Sequence, residues 1–202
     1  MSKVSGIDVS DWQDPIDFSS VRDAGYSFVY AKATEGNNYV ADTFVSKRTA
    51  TRAAGLIWGA YHFMDWTQSG FSQGTAFISQ AKYERGDLMP MIDCEGVTNL
   101  TPYAATQKIS AVLRVIESRI ARKCAIYLSP SFWSDALGST DLYNDRPLWL
   151  ANYGVSSPPN LGEWKPMFWQ YTSSATVPGI EGNVDVDEFF GTLDDLKGLR
   201  GT

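Results

Sequence analysis

Short apolar segments with a preference for β-structure alternate with helical segments along much of this chain, and glycine stands before several of the β-prone segments. Such alternation favours a mainly parallel sheet, because each helix carries the chain back to the start of the next strand. Eight strands are predicted, and that number favours a closed barrel. The predicted strands are residues 4–9, 26–32, 56–63, 89–93, 124–128, 147–153, 166–171 and 183–186.

The predicted helices are distributed unevenly. Helical composition covers residues 16–24, 43–54, 74–85 and 101–120, whereas loops separate the last three strands. A chain of 202 residues is also short for a barrel with a full set of helices. We therefore predict an α/β fold, a single incomplete (β/α) barrel of eight strands with fewer and shorter helices in its C-terminal half. No repeat or linker is visible, so one domain is expected over residues 1–202, with its core at about 4–192.

The composition argues against several classes of protein. The net charge is −6 and no run of Lys or Arg is present, so binding to nucleic acid through a basic surface is not expected. No apolar run reaches the roughly 20 residues that a membrane-spanning helix needs, and the N-terminus lacks the pattern of a signal peptide. The only histidine is His62, and Cys94 and Cys124 lack metal-ligand spacing, so neither a metal site nor a cofactor is predicted. Both cysteines are interpreted as small buried apolar residues, with a disulfide as the alternative.

Residues 89–95 carry the clearest chemical signal. This apolar run ends in Asp93, Cys94 and Glu95 and is followed by glycine, which is typical of a buried strand that leads into a loop. Because side chains alternate along a strand, Asp93 and Glu95 share one face, roughly 7 Å apart along the backbone, with Cys94 on the other. Two acids at the end of a buried strand repel each other and are poorly solvated, which raises the pKa of at least one of them. Alternatively, the two acids simply meet solvent or cap the next helix.

Acids and aromatic residues recur at the predicted strand ends, where barrel enzymes build their sites. Several carboxylates between aromatic walls, without a phosphate-binding loop, suit a carbohydrate site. Glycosidic cleavage needs one acid to protonate the leaving oxygen and a second carboxylate to stabilise the developing positive charge. The residues at these ends are Asp8, Glu35, Tyr61, His62, Asp93, Glu95, Tyr127, Trp149, Asn152, Gln170, Tyr171, Asp185 and Asp187. Trp149 could equally belong to the barrel core, and His62 could be a buried structural histidine.

Seven short motifs resemble those of the glycoside hydrolase family 25 lysozymes, the Chalaropsis-type N-acetylmuramidases of fungi, bacteria and phage endolysins. They occur in the family's order and span nearly the whole chain. Each one alone is a weak signal, but seven in order are specific. The motifs are GIDVS (residues 6–10, with Gln13), KATEG (32–36), GAYHF (59–63), DCE (93–95), PLWLANY (147–153), FWQY (168–171) and GNVD (182–185).

The resemblance implies a flattened βα barrel that hydrolyses the β-1,4 bond between N-acetylmuramic acid and N-acetylglucosamine in peptidoglycan. It implies that Glu95 is the general acid/base and that Asp93 assists it, either by stabilising positive charge or by orienting the substrate's N-acetyl group. Asp8 and Asp185 match the other two acids of the family's site. Net retention is implied, and we favour attack by the substrate's own acetamido group, because Asp93 and Glu95 share a face. Substrate-binding or supporting roles are expected for Glu35, Tyr61, His62, Tyr127, Trp149 and Gln170.

Two positions depart from the family's pattern. Asp187 stands where many relatives carry Asn, and this extra acid either raises a neighbouring pKa or faces solvent. Cys94 replaces a residue that is usually aliphatic, and we interpret it as core packing.

Two other functions remain open at this stage, namely a wall-glycan-binding module without catalysis and a barrel hydrolase of another amino-sugar polymer such as chitin. The expected partner is the glycan strand of bacterial peptidoglycan, and a monomer without a separate cell-wall-binding domain is expected. Action at the bacterial cell wall is expected, either by a phage endolysin held in the host cytoplasm until its release or by a mature secreted enzyme.

Overall fold

Pairing between the first and last strands closes the sheet of this protein into a barrel. The computed structural model describes residues 2–201, which form nine strands, five α-helices and one short π-helix. These elements are β1 (Lys3–Val9), α1 (Phe18–Asp23), β2 (Phe28–Glu35), β3 (Tyr39–Val40), α2 (Phe44–Ala53), β4 (Ile57–Phe63), α3 (Gly70–Ala81), β5 (Met91–Asp93), α4 (Pro102–Ile120), β6 (Ala125–Leu128), the π-helix (Phe132–Ala136), β7 (Leu148–Ala151), β8 (Pro166–Ala175), β9 (Val184–Phe190) and α5 (Leu193–Gly198).

Eight of the strands within residues 2–201 form the barrel, in the order β1, β2, β4, β5, β6, β7, β8, β9 and back to β1. Neighbouring strands are parallel from β1 to β8, but β9 is antiparallel to both β8 and β1. The prediction of an eight-stranded barrel is confirmed. The sheet is mainly parallel, as expected, and β9 is the exception because residues 176–183 are too few for the crossover that a parallel neighbour requires. The unpredicted β3 lies outside the barrel and pairs with β2.

The helices follow the predicted asymmetry. Helices α1 to α4 precede β2, β4, β5 and β6, whereas the connections from β6 to β9 contain only the π-helix and loops among the described residues. Helix α3 begins four residues before its predicted start because Gly74, interpreted as a helix start, lies inside the helix instead. A Cβ atom at Gly70 would lie 2.4 Å from the Lys108 carbonyl oxygen, and one at Gly74 would lie 2.8 Å from Val115 Cβ. These two glycines therefore allow α3 to pack closely against α4.

Two apolar layers hold the fold together. Side chains alternate along each strand, so on β5 Ile92 and the following Cys94 pack in the outer layer between sheet and helices, while Met91 packs inside the barrel. Cys94 and Cys124 are both buried and unbonded, in line with the prediction of small apolar residues. Among the described residues, no helix is long and apolar enough to span a membrane.

Aromatic rings fill the interior of the barrel. Trp149 stacks on Phe168 with ring centroids 4.5 Å apart, and Tyr30 meets Trp149 edge-on at 4.8 Å. The hydroxyl of Tyr30 donates a hydrogen bond to the buried Met89 carbonyl at 2.9 Å. A Cβ atom at Gly59 would lie 2.5 Å from the Tyr30 ring, so the missing side chain on β4 makes room for that ring.

Replacing Gly59 by alanine is expected to destabilise the protein by about 1–3 kcal/mol, because the added methyl group overpacks the barrel and displaces Tyr30. Urea unfolding at equilibrium measures the change. Gly198→Ala is the matched control, since a Cβ atom there would meet nothing within 4 Å and the backbone of Gly198 is not left-handed. Equal stability of Gly59→Ala and the wild type would contradict this account of the interior.

Candidate active site

A polar cleft opens at the end of the barrel where the parallel strands finish. Its central cavity has a volume of about 270 Å³. Seven of the ten predicted site residues line it, together with five residues that the sequence analysis did not select. The predicted ones are Asp8, Tyr61, Asp93, Glu95, Tyr127, Gln170 and Asp185, and the additional ones are Ser10, Trp12, Lys32, Phe63 and Met91.

The strands bring these residues together in a simple way. Asp8 lies near the end of β1, and Asp93 is the last residue of β5. Asp185 lies near the start of β9 rather than at a strand end, but β9 is antiparallel, so its first residues reach the same end of the barrel. In the pairing of β1 with β9, Asp8 is directly opposite Asp185. The predicted common face of Asp93 and Glu95 also holds, since both line the cavity while Cys94 packs outside the barrel.

Three predicted residues lie outside the cavity. Glu35 accepts a hydrogen bond from Lys32 Nζ at 2.9 Å, so it contacts a residue of the cleft without lining the cavity itself. Trp149 is fully buried in the barrel interior, where its indole nitrogen donates to Asp187 Oδ1 at 2.9 Å. This corrects the expectation for Trp149, because its ring lies beneath the cleft rather than in its wall.

His62 is also placed differently from the expectation that it lines the cleft. Its neighbour Tyr61 points inward, so alternation along β4 directs His62 outward against α3. His62 Nε2 lies 3.2 Å from Gln73 Oε1, and that oxygen also accepts from the Asp65 backbone nitrogen. The Gln73 oxygen is therefore an acceptor, and the neutral imidazole donates from Nε2 while Nδ1 accepts from the Thr34 hydroxyl. Burial lowers the pKa of His62 to about 4, which keeps the ring neutral.

Burial and mutual repulsion keep the cleft acids close to the protonated state. Burial raises the pKa of Glu95, and nearby Lys32 partly opposes this shift. Burial, with further repulsion from Glu95 and Asp8, raises the pKa of Asp93 well above its usual range. Burial, followed by the charge of Glu95, raises the pKa of Asp185 to about 6. This crowding provides carboxylic acids that retain a proton at mildly acidic pH.

Lys32 is the residue that the sequence analysis missed most clearly. Its Nζ lies 4.3 Å from the centre of the Phe63 ring, and its charge opposes the pKa shifts of Glu95 and Asp93. Alternation along β2 would have identified it. Phe28 and Tyr30 point into the barrel, and Lys32 lies two residues further along, on the same face of the strand. A lysine in a strand is more often interpreted as solvent-exposed, and that assumption hid it.

A buried glutamine connects Asp8 with two tyrosines. Gln170 Nε2 donates to Asp8 Oδ2 at 2.7 Å, and Gln170 Oε1 accepts from the Tyr127 hydroxyl at 2.8 Å. The Tyr153 hydroxyl donates to the same Gln170 oxygen. The amide oxygen faces two hydroxyl donors and the amide nitrogen faces a carboxylate acceptor, so the orientation of the amide is fixed. Gln170 therefore holds Asp8 and Tyr127 in place.

The backbone after β5 is held from outside the barrel. Trp66 Nε1 donates to the Glu95 carbonyl oxygen at 2.8 Å, and Lys108 Nζ on α4 donates to the Trp66 carbonyl oxygen, also at 2.8 Å. The chain then turns at Gly96, whose backbone is left-handed (φ 80°). The side chain of Asp93 lacks such support, because its Oδ1 is buried and has no hydrogen-bond partner within residues 2–201.

Glu95 stands where three cavities meet. One of about 500 Å³ extends toward Val97, Leu100 and the π-helix, and one of about 490 Å³ extends toward Asn152 and Tyr153. Both include Glu95, and they share Ser129 and Ser131 with each other, so the cleft continues past the acid from the central cavity. The exposed ring of Trp12, which retains 90% of its accessible surface, stands beside the central cavity. An open groove of this shape suits a polymer better than a small molecule.

Another cavity, of about 670 Å³, lies near the N-terminal ends of β5 to β8. Part of its charged lining is paired internally, since Lys123 and Arg146 contact Asp145 at 2.7 and 2.8 Å. None of the cleft acids reaches it. We therefore place the candidate active site at the other end of the barrel. Within the described residues, no group of three or more His, Cys, Asp or Glu side chains is arranged to hold a metal ion.

Comparison with known proteins shows the family of this chain. Residues 7–180 match the sequence profile of glycosyl hydrolases family 25. The chain is 35% identical to lysozyme M1 of Streptomyces globisporus, covering 98% of this chain and 71% of that protein. It is 30% identical to the N,O-diacetylmuramidase of Chalaropsis sp, covering 97% and 98% of the two chains. Its fold is similar to the crystal structure of the bacterial lysozyme from Streptomyces coelicolor, with a TM-score of 0.93, 35% identity and coverage of 99% and 98%. The chain therefore belongs to glycosyl hydrolases family 25 and is a glycoside hydrolase.

Proposed function

We propose that this enzyme is a muramidase that cleaves the β-1,4 bond between N-acetylmuramic acid and N-acetylglucosamine in bacterial peptidoglycan. The observation that carries the proposal is the position of Asp93 and Glu95 on one face of a cavity that continues past Glu95 into two more. The relatives named lysozyme and N,O-diacetylmuramidase support the same substrate class. The enzyme accordingly acts at the bacterial cell wall.

Glu95 is the general acid in this proposal. Partial burial raises its pKa, so it retains a proton to give to the leaving glycosidic oxygen. Glu95 is also the one cleft acid that lines all three cavities, which supports a role beside a bond that runs along the groove. After the sugar leaves, the Glu95 carboxylate takes a proton from the attacking water.

Asp93 is proposed to orient the N-acetyl group of the substrate. It lies on the same face as Glu95, so it does not stand across the sugar ring from the acid, as an enzymic nucleophile would. Its buried Oδ1 has no hydrogen-bond partner in the described part of the chain, which leaves it available to an acetamido N–H of the substrate. The acetamido oxygen then attacks the anomeric carbon, and water opens the resulting ring, so that two inversions give net retention.

Asp8 and Asp185 are the two further carboxyl groups of the proposed site. They face each other across β1 and β9, and Asp185 lies close enough to Glu95 for the two charges to repel. Carboxylates at this position stabilise positive charge that develops on the sugar ring. The aromatic rings of Tyr61 and Tyr127 are proposed to contact the apolar faces of the sugars.

Glu95→Gln is expected to lower kcat on purified peptidoglycan by about 10²–10⁴-fold, because the amide cannot donate the proton that the leaving group needs. Reducing-end analysis after borohydride reduction measures both the rate and the bond cleaved, and reduced muramic acid is the expected product. Glu163→Gln, an exposed acid near the opposite end of the barrel, serves as the control. Reduced glucosamine, or cleavage of chitin in preference to peptidoglycan, would contradict the proposed substrate bond.

Asp93→Asn is expected to lower kcat by about 10²-fold while raising the free energy of unfolding at neutral pH by about 0.5–2 kcal/mol. The pKa of Asp93 is higher in the folded than in the unfolded state, so its ionisation destabilises the fold as pH rises past the unfolded value. The gain from the neutral amide should therefore grow between pH 4 and pH 7, as urea unfolding at both values would show. A loss of stability that is equal at both pH values would count against the placement of this carboxyl group.

Peptidoglycan whose muramic acid residues lack the N-acetyl group is expected to be cleaved about 10²-fold or more slowly by the wild type, because the attacking group is missing. Chemical re-acetylation of the same material should restore the rate and is the control. Equal rates on both materials would mean that a carboxylate of the enzyme attacks the sugar instead.

A further inference from the structure

We propose that Asp187 is a positioning residue that, as a neutral carboxylic acid, donates a hydrogen bond to Asp8 and holds that carboxylate in its place in the cleft. The inference extends the proposed function, because Asp8 is one of the acids that would act on the sugar. Asp187 itself does not line the cleft. Its side chain is 0% exposed and lies one layer deeper in the barrel.

Strand register brings the two carboxyl groups together. In the pairing of β1 with β9, Asp187 is opposite Gly6, and Asp185 is opposite Asp8. Asp187 is therefore a diagonal neighbour of Asp8 on the inner face of the barrel, within reach of its side chain. Gly6 has no side chain, and the ring of Phe28 on β2 occupies the place where one would stand. The carboxyl groups of Asp8 and Asp187 are close enough for each to shift the pKa of the other.

The hydrogen-bond donors around Asp8 and Asp187 show that the contact between the two carboxyl groups needs a proton of its own. Trp149 Nε1 donates to Asp187 Oδ1 at 2.9 Å, and Gln170 Nε2 donates to Asp8 Oδ2 at 2.7 Å. Asp187 Oδ2 is buried and accepts from no donor within residues 2–201. Two ionised carboxylates have no hydrogen to share, so the contact is a hydrogen bond only if one of them is protonated.

The surroundings assign that proton to Asp187. The titratable groups that face it are Asp8 on β1, Asp185 on β9 and Tyr30 on β2, and none of them carries a positive charge. Burial, then the charge of Asp8, raises the pKa of Asp187 well above its usual range. Burial and the charge of Asp185 also raise the pKa of Asp8, but the hydrogen bonds from Gln170 and Asp187 lower it. Asp8 also borders the open cleft, whereas Asp187 lies among aromatic rings.

The two neutral replacements of Asp187 should behave differently. Asp187→Asn keeps the acceptor for Trp149 and supplies an N–H to Asp8, so the ionised state of Asp8 remains favoured. Asp187→Leu has a similar branched shape without a donor, so Asp8 loses one hydrogen bond to its charged form. Loss of one hydrogen bond to the ionised form should raise the titration midpoint of Asp8 by about 1 pH unit.

The decisive experiment is a ¹³C NMR titration of the Asp side-chain carboxyl carbons in the wild type and in both variants. Asp187 is expected to remain protonated at neutral pH in the wild type. The Asp8 midpoint is expected to stay near its wild-type value in Asp187→Asn and to rise by about 1 pH unit in Asp187→Leu. An Asp187 carboxylate at neutral pH in the wild type would overturn the proposal, and this measurement does not depend on whether Asp187→Leu folds.

Kinetics give the second measurement. The acidic limb of kcat/KM on purified peptidoglycan should move to higher pH by about 1 unit in Asp187→Leu and remain in place in Asp187→Asn. Loss of packing alone would lower the rate without moving the limb. Glu188→Gln is the matched control, because this acid is the next residue on β9 and contacts Lys3 near the surface. An unmoved Asp8 midpoint in folded Asp187→Leu would sink the inference, whereas a moved midpoint in an enzyme that fails to cleave peptidoglycan would sink only the proposed function.

Discussion

The active-site end of this barrel depends on the antiparallel insertion of β9 between β8 and β1. This pairing closes the barrel and reverses the polarity of one strand, so that residues at its beginning meet residues near the end of β1. Without the reversal, Asp185 would lie at the opposite end from Asp8. The short connection of residues 176–183 enforces the reversal, because it cannot cross the barrel. The geometry of two cleft acids thus follows from the length of one loop.

The cleft concentrates negative charge that the fold must tolerate. Asp8, Asp93, Glu95 and Asp185 share one cavity of about 270 Å³, with Lys32 as the cation in its lining. Such crowding disfavours the ionised forms of these acids, and it would destabilise the protein if all of them were charged at once. The stacked aromatic interior below the cleft supplies apolar burial that offsets this cost. The site is therefore electrostatically unfavourable, and the well-packed layer beneath it compensates for that cost.

Much of the fold follows from the sequence, because alternation and strand count predict the barrel and the motifs locate most of the acids. The rest depends on which face of a strand a residue occupies. Tyr61 and His62 are neighbours, so only one of them can point into the barrel, and the sequence does not say which. Lysine and aspartate are usually exposed, so neither Lys32 nor the fully buried Asp187 could be recognised from residue type. The start of α3 was misplaced because Gly74 packs against α4 instead of beginning the helix.

The hydrogen bond from Trp66 to the backbone of Glu95 separates two properties of the enzyme. Support for the acid comes from the helix side, through Trp66 and Lys108, whereas the segments that follow β6 and β7 line the groove beside it. These two groove segments take no part in the hydrogen bonds from Trp66 and Lys108. Evolution can therefore exchange them to suit walls of different chemical composition while the machinery for bond cleavage stays intact. Substrate range and catalytic activity can therefore be altered independently in this barrel.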